Sequence, residues 1–259
     1  MGWFSRWRRA RILERHLIPF AAFEAALARL PILSGLDAQE QARLREAASL
    51  FIHDKAFSAA GGAEVDETTQ CIIALQACLL TLNLGEDSYR GWSEIILYPD
   101  EFLRPREETD EAGVVHHSRD ILAGESWHGG PLVLSIADVA ASGQADGFNV
   151  VLHEFAHKLD MLNGDANGHP PLHRGMDAAA WAREFSAAYE DLCARVDAGE
   201  DTAIDPYATY DPAEFFAVLT EVFFETPRVL DAEYPTIYHQ LQQFYRQHPL
   251  ARLETAAHA

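Results

Sequence analysis

Residues 147–164, GFNVVLHEFAHKLDMLNG, carry His153-Glu154-Phe155-Ala156-His157. On a helix, positions four apart lie about 40° apart and one turn along, so both imidazoles share a face. Two imidazoles so placed can ligate one Zn²⁺ at about 2.0–2.1 Å. Glu154 is turned aside from them, where it can reach a water on the metal, take its proton and later return it to a leaving amine. With 12 His in 259 residues, H-E-x-x-H arises by chance in about one such chain in twenty, so the context carries the weight. Val150, Val151, Leu152, Phe155, Ala156 and Leu159 would bury this helix, and Gly164 ends it. Two histidines and a glutamate buried there are costly unless they share a partner. The competing reading is a pair of hydrogen-bonded core histidines.

A catalytic zinc needs a third protein ligand and an open position. Metzincins place a further His six residues after the second; here that residue is Asn163, which excludes the class. Asp160, three residues after His157, is one candidate. Glu214 and Glu221 in DPAEFFAVLTEVFFETP are the others, seven residues apart and on one helix face. Glu214 has a metal-free explanation, because Asp211, Pro212 and Glu214 form a D-x-x-E capping pattern. Glu221 lies mid-helix on an apolar stripe and needs a partner. Either it or Asp160 can hydrogen-bond the far nitrogen of a ligand histidine.

The order of elements indicates an α+β fold. Helical spacing covers 20–30, 38–52 (capped by Asp37 with Glu40 as its capping-box partner) and 70–84, with 58–69 as a glycine-containing connector. Residues 92–140 read as three or four strands of a small sheet. Helices return at 149–162, 177–197, 212–225 and 233–247. We expect a single domain over 1–259, with a mainly helical subregion at 1–90 and the sheet and metal-binding helices at 91–250.

The formal net charge of −20 disfavours direct nucleic acid binding. No apolar run approaches the ~20 residues of a transmembrane segment. Three cysteines without C-x-x-C spacing argue against a disulfide framework and a cysteine zinc site, and fit a cytoplasmic location. The charge is uneven: Arg6, Arg8, Arg9, Arg11 and Arg15 against Glu14 make residues 1–19 net +4. Trp3, Phe4 and Trp7 are interleaved with them, which reads as a helix packing its aromatics on the body, or as a contact for an anionic membrane.

HEFAHKLDMLNG, the downstream YATYDPAEFFAV and GESWHGGPLVLS together resemble the Mlc titration factor A family of zinc metallopeptidases, over roughly 10–250. The catalytic domain of that family is similar to anthrax lethal factor protease. The resemblance implies a zincin-like α+β domain holding one Zn²⁺ on His153, His157 and Glu214, with Glu154 as catalytic base. It implies that Tyr207 lies beside the metal, where a phenol can donate to a developing oxyanion; Tyr210 in the same loop is its rival. It also implies cytosolic, aminopeptidase-type cleavage of small peptide substrates and, in enterobacterial members, binding to the glucose-responsive DNA-binding repressor Mlc.

Two other function classes compete with a peptidase. One is a regulatory protein that sequesters a transcription factor, its zinc site secondary; the other is a hydrolase of non-peptide substrates. An edge strand within 121–136 is the expected peptide-holding element, where Gly124, Gly129 and Gly130 either allow close backbone approach or make turns. His116, His117 and His128 read as surface or core residues rather than ligands.

Overall fold

The computed structural model describes residues 3–100, 102–109, 115–122, 124–126 and 129–257, with backbone alone at 3–5, 86–87, 102–109, 115–122, 125 and 256–257. The chain begins with helices α1 (Trp3–His16), α2 (Phe20–Leu27) and α3 (Ala38–Asp54), then strand β1 (Ala56–Ala59) and helix α4 (Glu67–Thr81). Asp37 caps α3 through a full capping box. Its Oδ1 accepts from the Gln39 and Glu40 N–H groups at 2.8 Å, and Glu40 Oε2 accepts from Asp37 N–H at 3.0 Å. β1 overlaps the expected connector. Its AFSA sequence is too short and too weakly apolar to alternate visibly, yet it joins the sheet.

Strand β2 (Glu94–Tyr98) leads into a separate antiparallel pair, β3 (Phe102–Thr109) and β4 (Val115–Leu122). β5 (Gly124–Ser126) and β6 (Leu132–Ser135) follow, then helix α5 (Ile136–Ala141). The main sheet has the order β1-β2-β6-β5, with β1, β2 and β6 parallel and β5 antiparallel at the edge. The region 92–140 thus holds five strands in two sheets, more than expected. The apolar run LVLSIADV leaves the sheet at Ser135, whose hydroxyl accepts from Asp138 N–H at 3.2 Å and starts α5.

Helices α6 (Val150–Asp160), α7 (Ala178–Asp197), α8 (Pro212–Glu225), α9 (Pro227–Glu233), α10 (Pro235–Tyr245) and α11 (Pro249–Ala257) complete the chain. The helix expected over 233–247 starts at Pro235, and α9 precedes it. Pro227 and Pro235 each take a first helical position, where the missing N–H leaves no bond unmade.

The buried apolar side chains form one cluster reaching from Ile18 to Tyr245. α6 packs against α8, α4 and β5 near its centre. Phe155, fully buried, meets the rings of Tyr89, Phe51 and Trp92 at centroid distances of 5.0, 5.6 and 5.9 Å. The metal-motif helix is therefore wedged into an aromatic floor, which fixes its rotation.

The N-terminal helix departs from the expected packing. Trp7 is half exposed beneath the Arg11 guanidinium, while Arg8 and Arg9 pair with Asp54 and Glu46 of α3 at 2.6 Å and Ile12 is buried. At Trp7 the expected aromatic packing is absent, and Arg8 and Arg9 tie α1 to the body. The side chains of Trp3, Phe4, His116 and His117, and residue His128, lie outside the described residues. Among the described residues no helix is long and apolar enough to cross a membrane.

Candidate metal centre

Asn149 starts the metal-motif helix: its Oδ1 accepts from Leu152 N–H at 2.9 Å, capping α6 immediately before the apolar run VVL. Four and eight residues on, His153 and His157 share one face, their rings edge to face with centroids 4.8 Å apart. Asp211 starts α8 in the same way, accepting from Ala213 and Glu214 N–H at 2.7 and 2.9 Å. Half of the anticipated capping pattern is thereby formed. The Glu214 carboxylate turns the other way, toward the histidines.

Glu214 Oε2 lies 2.9 Å from His153 Nε2 and 3.4 Å from His157 Nε2, and the two Nε2 atoms are 3.2 Å apart. Tetrahedral ligands at 2.0–2.1 Å from one zinc are separated by about 3.3 Å. The three atoms are therefore already at the spacing that one ion demands, and these residues are the described group that satisfies a three-ligand geometry. Two nitrogens and a carboxylate oxygen are also a donor set that zinc accepts.

Behind them, His153 Nδ1 lies 2.8 Å from Glu221 Oε1, and Glu221 Oε2 accepts from Asn149 N–H at 2.5 Å. This bond holds the His153 ring with Nε2 facing the ligand cluster. Burial alone would lower the His153 pKa, but the carboxylates of Glu214 and Glu221 outweigh it and hold the metal-free imidazole well above its ordinary value. Burial likewise opposes ionisation of Glu214; the two histidines overcome it and keep that carboxyl far below the usual range. Glu221 is raised by burial, with His153 and Asn149 pulling the other way.

Glu154 is 5 % exposed and sits between α6 and the first residue of β5, Gly124. Tyr207, in the turn Pro206–Thr209, is half exposed with its ring 6.1 Å from that of His153, and Tyr210 stacks outside it at 6.3 Å. Burial of the phenol, with Glu214 and Glu154 nearby, holds Tyr207 well above its ordinary pKa, so its O–H remains a donor. Asp160 is fully buried and its Oδ2 accepts from Asn167 and Gly168 N–H at 2.7 Å, which anchors the loop after the helix. His157 Nδ1 has no hydrogen-bond partner among the described residues.

Sequence reasoning passed over three supporting side chains. Asn149 was legible as a cap residue preceding an apolar run. Glu225, one turn after Glu221, accepts from Gly143 and Ala145 N–H and from Asn149 Nδ2 at 3.0, 2.6 and 2.6 Å, fixing the segment that enters α6. Lys158, 4 % exposed, donates to Gly130 O at 2.9 Å and so ties α6 to the approach to β6. The only signals for the last two were charged residues on apolar helices.

The model of the family described as glucose-regulated metallo-peptidase M90 matches residues 4–246. Mlc titration factor A of Salmonella gallinarum is 40 % identical over 253 residues, covering 97 % of this chain and 94 % of that protein. Mlc titration factor A of Escherichia fergusonii is 41 % identical over 236 residues, covering 90 % and 89 %.

Proposed function

Since this chain belongs to the glucose-regulated metallo-peptidase M90 family, we propose that it is a zinc-dependent peptide hydrolase with a zincin-like domain. One observation carries the reading: His153, His157 and Glu214 converge at ion spacing while Glu154 stands beside them against the sheet edge. Zinc held by the three residues would polarise a substrate carbonyl and acidify water. Glu154 is assigned the proton of the attacking water, which it delivers to the leaving amine. Tyr207 donates its phenolic hydrogen to the carbonyl oxygen as negative charge develops there. β5, at the sheet edge and antiparallel to β6, offers main-chain groups on which an extended peptide can lie across α6. We read the chain as one domain around its one core, acting on small substrates in the manner of an aminopeptidase. Its three free cysteines suit a reducing cytoplasm.

The test uses zinc-loaded wild type and Glu154→Gln with aminoacyl anilides and short peptides. The expected result is one zinc per chain in both proteins and turnover in the wild type alone. Hydrolysis by the metal-replete variant would remove Glu154 as the base, and an inert zinc-loaded wild type would remove the peptidase reading.

The relatives' shared name, Mlc titration factor A, favours a second reading, in which this protein titrates a DNA-binding repressor of the Mlc type by binding it. A net charge of −20 suits a basic partner of that kind. Repressor binding that survives both zinc chelation and Glu154→Gln supports this role as independent of catalysis. Binding lost in both ties it to the metal centre.

A further inference from the structure

A cavity of about 730 Å³ opens directly beside the ligand cluster, with His153 and Glu154 in its wall. Its apolar lining comes from Val150 in the first turn of α6, Val218 and Val222 of α8, and Val229 of α9, with Thr202 and Thr226 among them. Glu221 also lines it, but both of its oxygens are engaged, by His153 Nδ1 and Asn149 N–H. With Glu154 assigned to the attacking water, the carboxylates left to greet an entering side chain are those of Asp146 and Asp205, both exposed. Each accepts a backbone hydrogen bond, from Phe148 and Tyr207 N–H at 3.1 and 2.8 Å, which fixes its position.

We infer that this cavity receives a bulky apolar side chain from a residue flanking the scissile bond, and that Asp146 and Asp205 turn acidic side chains away. The inference rests on the peptidase reading above. A recess of this size admits a leucine or phenylalanine side chain, which buries apolar surface against the valines, whereas a glycine or alanine buries little. Because the recess adjoins His153 and Glu154, the side chain it holds belongs to a residue next to the reacting carbonyl. That contact positions the carbonyl as well as adding affinity. Two carboxylates at the opening repel a third charge of the same sign and tolerate a cationic one.

The experiment digests a peptide library of varied sequence with the zinc-loaded protein and reads the cleaved bonds by mass spectrometry, using Glu154→Gln as blank. Leu, Ile, Met and Phe should be enriched about tenfold over Gly and Ala at one of the two positions flanking the cut, with Asp and Glu depleted. Val229→Phe, which narrows the cavity, should lower kcat/KM for Leu-bearing peptides about tenfold relative to Ala-bearing ones. General damage would lower both alike, and Val222→Phe supplies the same comparison from α8. Asp146→Asn should restore cleavage beside acidic residues. Cleavage without apolar enrichment at either flanking position, or the same enrichment in both phenylalanine variants, overturns the inference while leaving the peptidase reading intact. No cleavage at all by zinc-loaded wild type overturns both.

Discussion

The Glu154 carboxylate occupies the space that a side chain on residue 124 would need: a Cβ on Gly124 would lie 2.6 Å from Glu154 Cγ and 2.7 Å from Oε1. The sheet edge and the proposed base therefore set each other's position, and only glycine leaves the room. Gly124→Ala should push the carboxylate aside and cut kcat by about 10²-fold, since a displacement near 1 Å costs that much. Zinc content should stay at the wild-type level. Undiminished kcat in this variant would show that the contact is irrelevant to turnover.

Glu214 and Glu221 share α8 yet meet His153 on opposite nitrogens, and their removal should differ in degree. Glu214→Ala takes away a proposed ligand, so the protein should lose most of its zinc on dialysis. Glu221→Gln leaves the three ligand residues and should weaken zinc binding by about 10–100-fold. Competition with a chromophoric chelator measures both. Equal affinities in the two variants would contradict the separate roles.

Tyr207→Phe keeps the ring beside His153 and deletes the donor. Loss of one oxyanion donor costs about 10²–10³-fold in kcat. KM should change little, because the hydrogen bond forms only as charge develops. Tyr210→Phe provides the control from the neighbouring ring. An equal loss there would reassign the donor.

Burial pushes the Glu225 carboxyl up to about 7, against hydrogen bonds from Asn149, Ala145 and Gly143. Between about pH 4.5 and 7 the folded protein keeps this proton while the unfolded chain has lost it. The associated stability is thus complete below pH 4.5 and is lost as pH rises to 7. Relative to Glu225→Gln, which does not titrate, the wild type should lose roughly 2–3 kcal/mol between pH 5 and 8 in urea unfolding. A difference constant across that range would mean that Glu225 is ionised throughout.

Several features could be read from local sequence because their causes are local. Helical periodicity alone places His153 and His157 one turn apart, and the D-x-x-E pattern at Asp37 forms its capping box in the structure. The long helices α3, α4, α7 and α8 were visible by the same periodicity. β1 was not, because AFSA acquires its identity from pairing with β2, which lies some 38 residues along the chain.

Local sequence sufficed for the two imidazoles, the glutamate between them and the apolar helix that presents them. Local pattern left Asp160, Glu214 and Glu221 all open as the third acid, with only the family resemblance favouring Glu214, because nothing in a helix repeat says which helix packs on which. Tertiary packing decided among them. α8 docks on α6 so that Glu214 closes the candidate ligand triangle, Glu221 braces His153 from behind, and Asp160 is taken up by the 167–168 backbone. Gly124 went the same way. As a residue it fits a turn or a close approach equally well, and only the placement of β5 against α6 puts Glu154 in the space where its side chain would be.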